Sequence, residues 1–195
     1  MVAKEIETQG KIVSTDLLSL YMERSDEEGI TDEELRDIIL NFLIAGRDTT
    51  ANALSWAFYR LCLHPEVQQK VYDEVRRVGA EFSLDMPLSP NPHADNTTDC
   101  GPDIPFAALQ KMEYIEAFCM EVLRLYPSVP KIGKYALTDD VLPDGTVVKE
   151  GMMVVFSPWV MGRTERMWDN CMEFRPERFL ENKKPSPYLF TAFQG

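Results

Sequence analysis

Residues 44 to 51 read I-A-G-R-D-T-T-A. This places Arg47, Asp48, Thr49 and Thr50 as a polar knot in a stretch, Ile38 to Tyr59, that is otherwise nearly uncharged and so expected to be buried on several sides. Ile38, Phe42, Ala45, Thr49, Ala53 and Trp56 follow one another in steps of 4, 3, 4, 4 and 3, the spacing of one helical face. In the middle of that face the side chains shrink, and Ala45, Gly46, Thr49 and Ala53 leave a shallow trough suited to a flat ligand. Gly46 costs about 1 kcal/mol relative to Ala in a helix interior. Thr49 is placed to donate its hydroxyl to the carbonyl of Ala45 one turn earlier, which bends a helix and opens its hydrogen-bond ladder. Local rule-breaking of this kind accompanies functional sites. The same residues also suit a plain helix kink in which Arg47 and Asp48 pair with distant partners.

A second constellation is the pair Glu121 and Arg124. The pattern E-x-x-R occurs three times, at Glu33/Arg36, Glu74/Arg77 and Glu121/Arg124. The first two lie in charged surroundings and read as surface pairs worth roughly a few tenths of a kcal/mol. The third is flanked by Ile115, Phe118, Met120, Val122, Leu123 and Leu125, so it reads as buried. A buried pair must fill its remaining hydrogen-bonding capacity with a second cation or with backbone groups, and F-R-P-E-R-F at Phe174 to Phe179 offers a candidate.

Periodicity and punctuation outline the elements that must hold these residues. A short amphipathic helix is expected from Thr15 to Arg24. Thr31 with Glu34 forms a capping-box pattern that opens a long helix, Asp32 to about Leu63, unbroken until His64-Pro65 and roughly 45 to 50 Å long. Pro65 starts a helix to about Val78 with a largely solvated face, and residues 79 to 105 read as a long surface loop. A buried helix is expected over about 106 to 125, ending where Pro127 disfavours helical geometry for Tyr126. Short strands over about 134 to 156, around the turn P-D-G at 143 to 145, make a small sheet, and a Pro-punctuated coil meander fills about 165 to 195. The fold class is therefore mainly α with a small β-sheet.

The chain has 195 residues, 20 Lys+Arg against 32 Asp+Glu, and a net charge of -12. That balance argues against a nucleic-acid partner, since neutralising phosphates takes clustered cations. Cys62, Cys100, Cys119 and Cys171 show no C-x-x-C pair, and only His64 and His93 are available to join them, so a zinc knuckle or disulfide framework is not expected. No apolar run is long enough to span a membrane, and Met1 to Gly10 lacks the apolar core of a signal peptide. An EF-hand from Asp140 fails because its third and twelfth positions are Leu142 and Gly151. There is no G-x-S-x-G and no Gly-rich phosphate loop, and His64 reads as a turn residue.

I-A-G-R-D-T-T-A, E-V-L-R-L-Y-P at 121 to 127, F-R-P-E-R-F and the terminal F-Q-G occur together in order and at roughly the spacing found in cytochrome P-450, the haem-thiolate monooxygenases. Any one motif is weak; four in order make a specific resemblance. It covers essentially the whole chain and implies that residues 1 to 195 are part of a single monooxygenase domain truncated at both ends, the C-terminal half of a typical member.

The resemblance implies haem as cofactor, with NADPH used indirectly through a flavoprotein reductase. Thr49 resembles the alcohol that helps deliver protons during O-O cleavage and Asp48 its acidic partner, while Ala45 and Gly46 resemble the groove on the distal face of the haem. Glu121, Arg124 and Arg178 resemble a structural charge triad, serving folding and haem retention. Lys131 falls where many members place a cation for a haem propionate. Phe193, Gln194 and Gly195 resemble the opening of the signature whose cysteine ligates the iron, so the axial thiolate is expected about five residues past Gly195. The isolated 195 residues are thus expected to be inactive. A-G-R-D-T-T with L-Y-P-S-V-P resembles the branch hydroxylating fatty acids and alkanes near the terminal carbon. Phe42, Leu43, Val129 and Pro130 are the expected contacts for a lipophilic substrate, and such members sit on the endoplasmic reticulum membrane. The rival reading is a non-catalytic, truncated helical interaction protein.

Overall fold

The structure, a computed structural model, describes residues 6–8, 11–13, 21, 29–84, 104–181 and 185–193. It divides into two compact units, 1–51 and 52–195. In the first, strands β1 (Ile6–Thr8) and β2 (Lys11–Val13) pair antiparallel, an element the periodicity does not announce. Apart from Tyr21, which is helical, the helix expected over Thr15 to Arg24 lies outside the described residues.

Helix α1 (Asp32–Leu43) opens as its capping box requires: Thr31 accepts from the Glu34 amide at 3.3 Å, and Glu34 accepts from the Thr31 amide at 2.9 Å. The expected unbroken helix is not found. A π turn occupies Ile44–Asp48 before α2 (Thr49–Leu63) continues. Thr49 and Thr50 each donate a side-chain hydroxyl four residues back, to Ala45 at 2.8 Å and Gly46 at 2.9 Å. These bonds draw on carbonyls that the regular ladder would use. A wider turn takes more residues, so a 3.6-residue stripe cannot be extrapolated across it.

The expected burial of this stretch is also corrected, for no residue from 32 to 63 is buried. Within the second unit α2 packs along one stripe: Ala57 and Leu61 lie against the core and Trp56 stacks on Tyr126. Phe58 and Leu63 stay exposed.

Helix α3 (Pro65–Glu81) begins at its proline and runs three residues beyond the expected end. Residues 85–103, the heart of the expected loop, lie outside the described residues. The single helix expected over 106 to 125 is instead two, α4 (Phe106–Leu109) and α5 (Glu113–Leu125). The break has a tertiary cause: Met112 drops its side chain into a cluster with Val78 and Ala108, leaving the helical backbone region at φ -91°, ψ 63°. Helix α5 buries Tyr114, Ala117, Phe118, Glu121, Val122, Arg124 and Leu125.

The small sheet forms as two nested ladders, with β3 (Ile132–Tyr135) on β6 (Met153–Phe156) and β4 (Asp140–Val141) on β5 (Val147–Val148), both antiparallel. Gly145, at φ +88°, makes the turn between the inner strands, where a side chain would be strained. Two short helices punctuate the tail, α6 (Pro158–Met161) and α7 (Glu177–Glu181). Phe174 joins Phe118, Val122 and Leu125 in one core cluster, while Phe179 joins Ala117, Trp168 and Cys171 in another.

Candidate functional site

The hydroxyl turn lies in the first unit. Ala45, Gly46, Arg47 and Asp48 are exposed and Thr49 is half-buried. A Cβ built on Gly46 would meet nothing within 4 Å, so the turn presents an open backbone surface. Neither Arg47 nor Asp48 forms an ion pair among the described residues. Phe42 and Leu43 are about half exposed (51% and 53%), and the Phe42 ring lies 6.4 Å from that of Tyr21. The backbone carries the Thr49 hydroxyl at a stated place, beside small residues and next to a carboxylate.

The charge cluster lies in the second unit and is buried: Glu121 is 0%, Arg124 3% and Arg178 7% exposed. Arg124 sits one turn beyond Glu121 on α5 and grips its carboxylate side-on, Nε to Oε2 at 2.7 Å and Nη2 to Oε1 at 2.8 Å. Arg178, from α7, donates Nε–H to Oε1 at 3.0 Å, and the amide of Arg175 donates to the same oxygen at 2.8 Å. The outer guanidinium donors reach meander carbonyls: Arg124 those of Gly162, Cys171 (2.8 Å) and Glu173 (3.1 Å), Arg178 those of Asp169 (3.1 Å) and Glu173 (3.3 Å). Two cations and one carboxylate would be costly to bury without these bonds. With them the cluster ties α5, the meander and α7 into one frame.

Of the remaining expected residues, Lys131, Pro130 and Phe193 are exposed, and Val129 is half-buried. Gln194 and Gly195 lie outside the described residues. Cys171 is buried with its Sγ on the Arg163 carbonyl at 3.1 Å, while Cys62 and Cys119 are exposed on α2 and α5. Cys100 and His93 lie outside the described residues. His64 caps no amide; its ring lies 5.0 Å from Phe174 and its Nδ1 3.1 Å from Glu66. The described residues hold no cluster of three metal-ligating side chains.

Of the two expected surface pairs, Glu74/Arg77 forms at 3.5 Å but with its acid buried, and Glu33/Arg36 is replaced by another partner. Arg36 pairs with its neighbour Asp37 at 2.8 Å, not with Glu33. Glu74 is buried, and its carboxylate accepts the amides of Tyr114 at 3.0 Å and Ile115 at 2.9 Å. Sequence spacing also gives no sign of Gly162, where a Cβ would collide with the Arg124 carbonyl. Nor does it announce Tyr126, stacked on Trp56 at 4.0 Å and flanked by the guanidiniums of Arg60 and Arg163.

At the seam between α3, α5 and α7, Lys70 reaches Glu177 at 2.6 Å and the Tyr114 hydroxyl donates to the same carboxylate at 3.0 Å. Burial raises the Glu177 carboxyl, but the hydrogen bonds from Lys70, its own backbone and Tyr114 outweigh it and hold it below the usual carboxylate range. Burial, with the Glu177 charge, pushes the Tyr114 phenol above its usual range.

The chain thus carries a buried carboxylate gripped by two arginines and a hydroxyl-bonded π turn, and the family model described as Cytochrome P450 matches residues 2–194. The chain belongs to the cytochrome P450 family. It is 43% identical to cytochrome P450 704C1 of Pinus taeda, over 94% of this chain and 36% of that protein. Against cytochrome P450 86B1 of Arabidopsis thaliana it is 40% identical, over 98% of this chain and 34% of the relative, and against cytochrome P450 704B1 of the same plant 40%, over 94% and 38%. The chain spans between 34% and 38% of the length of these curated relatives.

Membership in the cytochrome P450 family implies haem. The turn at Ala45 and Gly46, where a Cβ on Gly46 would meet nothing within 4 Å, leaves room for the edge of a planar macrocycle. No described helix is long and apolar enough to cross a membrane.

Proposed function

We propose that this chain is part of a haem-dependent monooxygenase that hydroxylates a lipophilic substrate, a fatty acid or alkane at or near its terminal carbon. The observation that carries the reading is the Thr49 hydroxyl, anchored on the Ala45 carbonyl at 2.8 Å in a π turn whose next residue, Gly46, is open.

Haem, when bound, supplies dioxygen activation at an iron ligated by a thiolate outside the four cysteines of this chain. Thr49 would hold a proton on Oγ1, on a hydroxyl free to exchange its bond to the Ala45 carbonyl for one toward a reactant, and Asp48, adjacent in sequence and exposed to solvent, would resupply that proton. The small side chains at Ala45 and Gly46 would leave room for a macrocycle, Lys131 would offer a cation for a propionate, and Phe193 would offer an aromatic face. Phe42, Leu43, Val129 and Pro130 offer apolar surface to a hydrocarbon chain and no partner for a charged one. Glu121, Arg124 and Arg178 hold the frame and touch no reactant. Electrons come from NADPH through a flavoprotein reductase, on the cytosolic face of the endoplasmic reticulum.

The test is expression of the full-length protein with a plant reductase, a reduced carbon monoxide spectrum, and incubation with long-chain fatty acids and alkanes. The reading expects a thiolate-type band and a terminally hydroxylated product. Absence of the band in folded protein sinks the haem-thiolate assignment; a band with turnover of polar substrates alone sinks the lipid assignment.

A further inference from the structure

We propose that Glu74 is a positioning residue: from α3 it supplies the N-terminal cap that α5 lacks, and so fixes the helix that presents Glu121 and Arg124. The first amides of any helix have no partner within it, and they are normally satisfied by an oxygen-bearing side chain at the cap position. Helix α5 has Met112 there, and no side-chain cap bond of its own. Glu74 reaches in from another helix and takes two consecutive amides, one on each oxygen: Tyr114 at 3.0 Å and Ile115 at 2.9 Å. Its charge lies at the positive end of the α5 dipole, where a carboxylate is favoured.

Arg77, which pairs with it among the described residues, is a poor alternative explanation for its burial. Arg77 is 57% exposed on its side chain and stands 3.5 Å away, too long for a strong ion pair, whereas Glu74 is 9% exposed. Neighbours on the same face of α3 hold the same segment: Arg77 donates to the Lys111 carbonyl at 3.3 Å, and Glu81 pairs with Lys111 at 3.2 Å. Lys70 reaches Glu177 beside the Tyr114 hydroxyl. Residues 111 to 115 are thus held by one row of α3. Glu121 lies two turns further along α5, roughly 10 Å from the cap, so axial slippage or fraying at the cap moves the charge cluster.

The test uses the full-length protein with Glu74→Ala, Glu74→Gln and, as a control on the same helix, Arg76→Ala, whose exposed side chain reaches, among the described residues, only Tyr72 of α3. Hydrogen exchange at the Tyr114 and Ile115 amides is expected to speed up about tenfold or more in Glu74→Ala, less in Glu74→Gln, which keeps one acceptor oxygen, and not in Arg76→Ala. The rate of haem loss to a scavenger should rise in the same order. Unchanged amides in Glu74→Ala, or equal change in Arg76→Ala, overturns the cap. If Glu74→Ala does not fold, unchanged amides in Glu74→Gln do so. Faster amides with unchanged haem loss overturn the positioning role. The exchange readout is independent of the monooxygenase reading; the haem readout rests on it, and a wild-type protein that never binds haem would fail that reading while leaving the cap test intact.

Discussion

Arg178 donates Nε–H to Oε1 of Glu121 at 3.0 Å across 57 residues of sequence, and it does so where both side chains are almost wholly out of water. A contact of that kind is decided by the packing of α7 against α5, and its cost and worth are set by the completeness of the surrounding bonds. Glu121 serves Arg124 as well, so it is the shared member of the cluster.

Glu121→Gln keeps the shape and removes the charge, leaving two buried guanidiniums without a carboxylate. Breaking one partner of such a set costs about 3 to 5 kcal/mol. Urea unfolding should show a lower midpoint that, multiplied by the m-value, gives a loss of that size, with haem content of the full-length protein falling in parallel. A loss below about 1 kcal/mol would mean that the backbone carbonyls alone hold Arg124 and Arg178.

Thr49→Val preserves the β-branched shape and deletes the hydroxyl; Thr49→Ser preserves the hydroxyl. On the proton-delivery reading, product formed per NADPH consumed falls roughly a hundredfold or more in Thr49→Val, within the usual range for a positioned proton donor, with reducing equivalents diverted to hydrogen peroxide. Thr49→Ser stays near wild type. Equal coupling in both variants would assign the hydroxyl to helix geometry alone.

Gly162→Ala places a methyl group against the Arg124 carbonyl, an atom held by helix α5. Backbone has to shift, and overpacking of this sort costs about 1 to 3 kcal/mol or more. Thermal unfolding should show the loss. The companion Gly46→Ala meets nothing within 4 Å and should leave the melting temperature unchanged or raised.

Glu177 has a folded carboxyl held below its ordinary range, after burial, which raises it, is outweighed by the bonds from Lys70, its own backbone and Tyr114. A lowered folded value means that its contribution is present above the ordinary carboxylate range and is lost as the pH falls through the folded value. The stability difference between wild type and Glu177→Gln should therefore be constant near neutrality and shrink on acidification. A difference that grows in acid would reverse the assigned sign.

Sequence alone determined what depends on local spacing and on short-range chemistry. The Thr31 capping box, the start of α3 at Pro65, the end of α5 before Pro127, the hairpin at Gly145 and the back-bond from Thr49 to Ala45 all follow from residues a few positions apart. The E-V-L-R and F-R-P-E-R-F segments likewise carried the charge cluster in advance, because a cation and a carboxylate in apolar surroundings demand a further partner. Tertiary structure decided the rest. Glu74 looked like a surface residue because its partners are backbone amides on a different helix, and amides leave no trace in a residue pattern. The break at Met112 came from a side chain drawn into a cluster with Val78, a distance in sequence over which no periodicity reaches. The exposure of 38 to 59 was misjudged for the same reason: an uncharged stretch says that a surface prefers cover, while burial depends on which elements come to lie upon it.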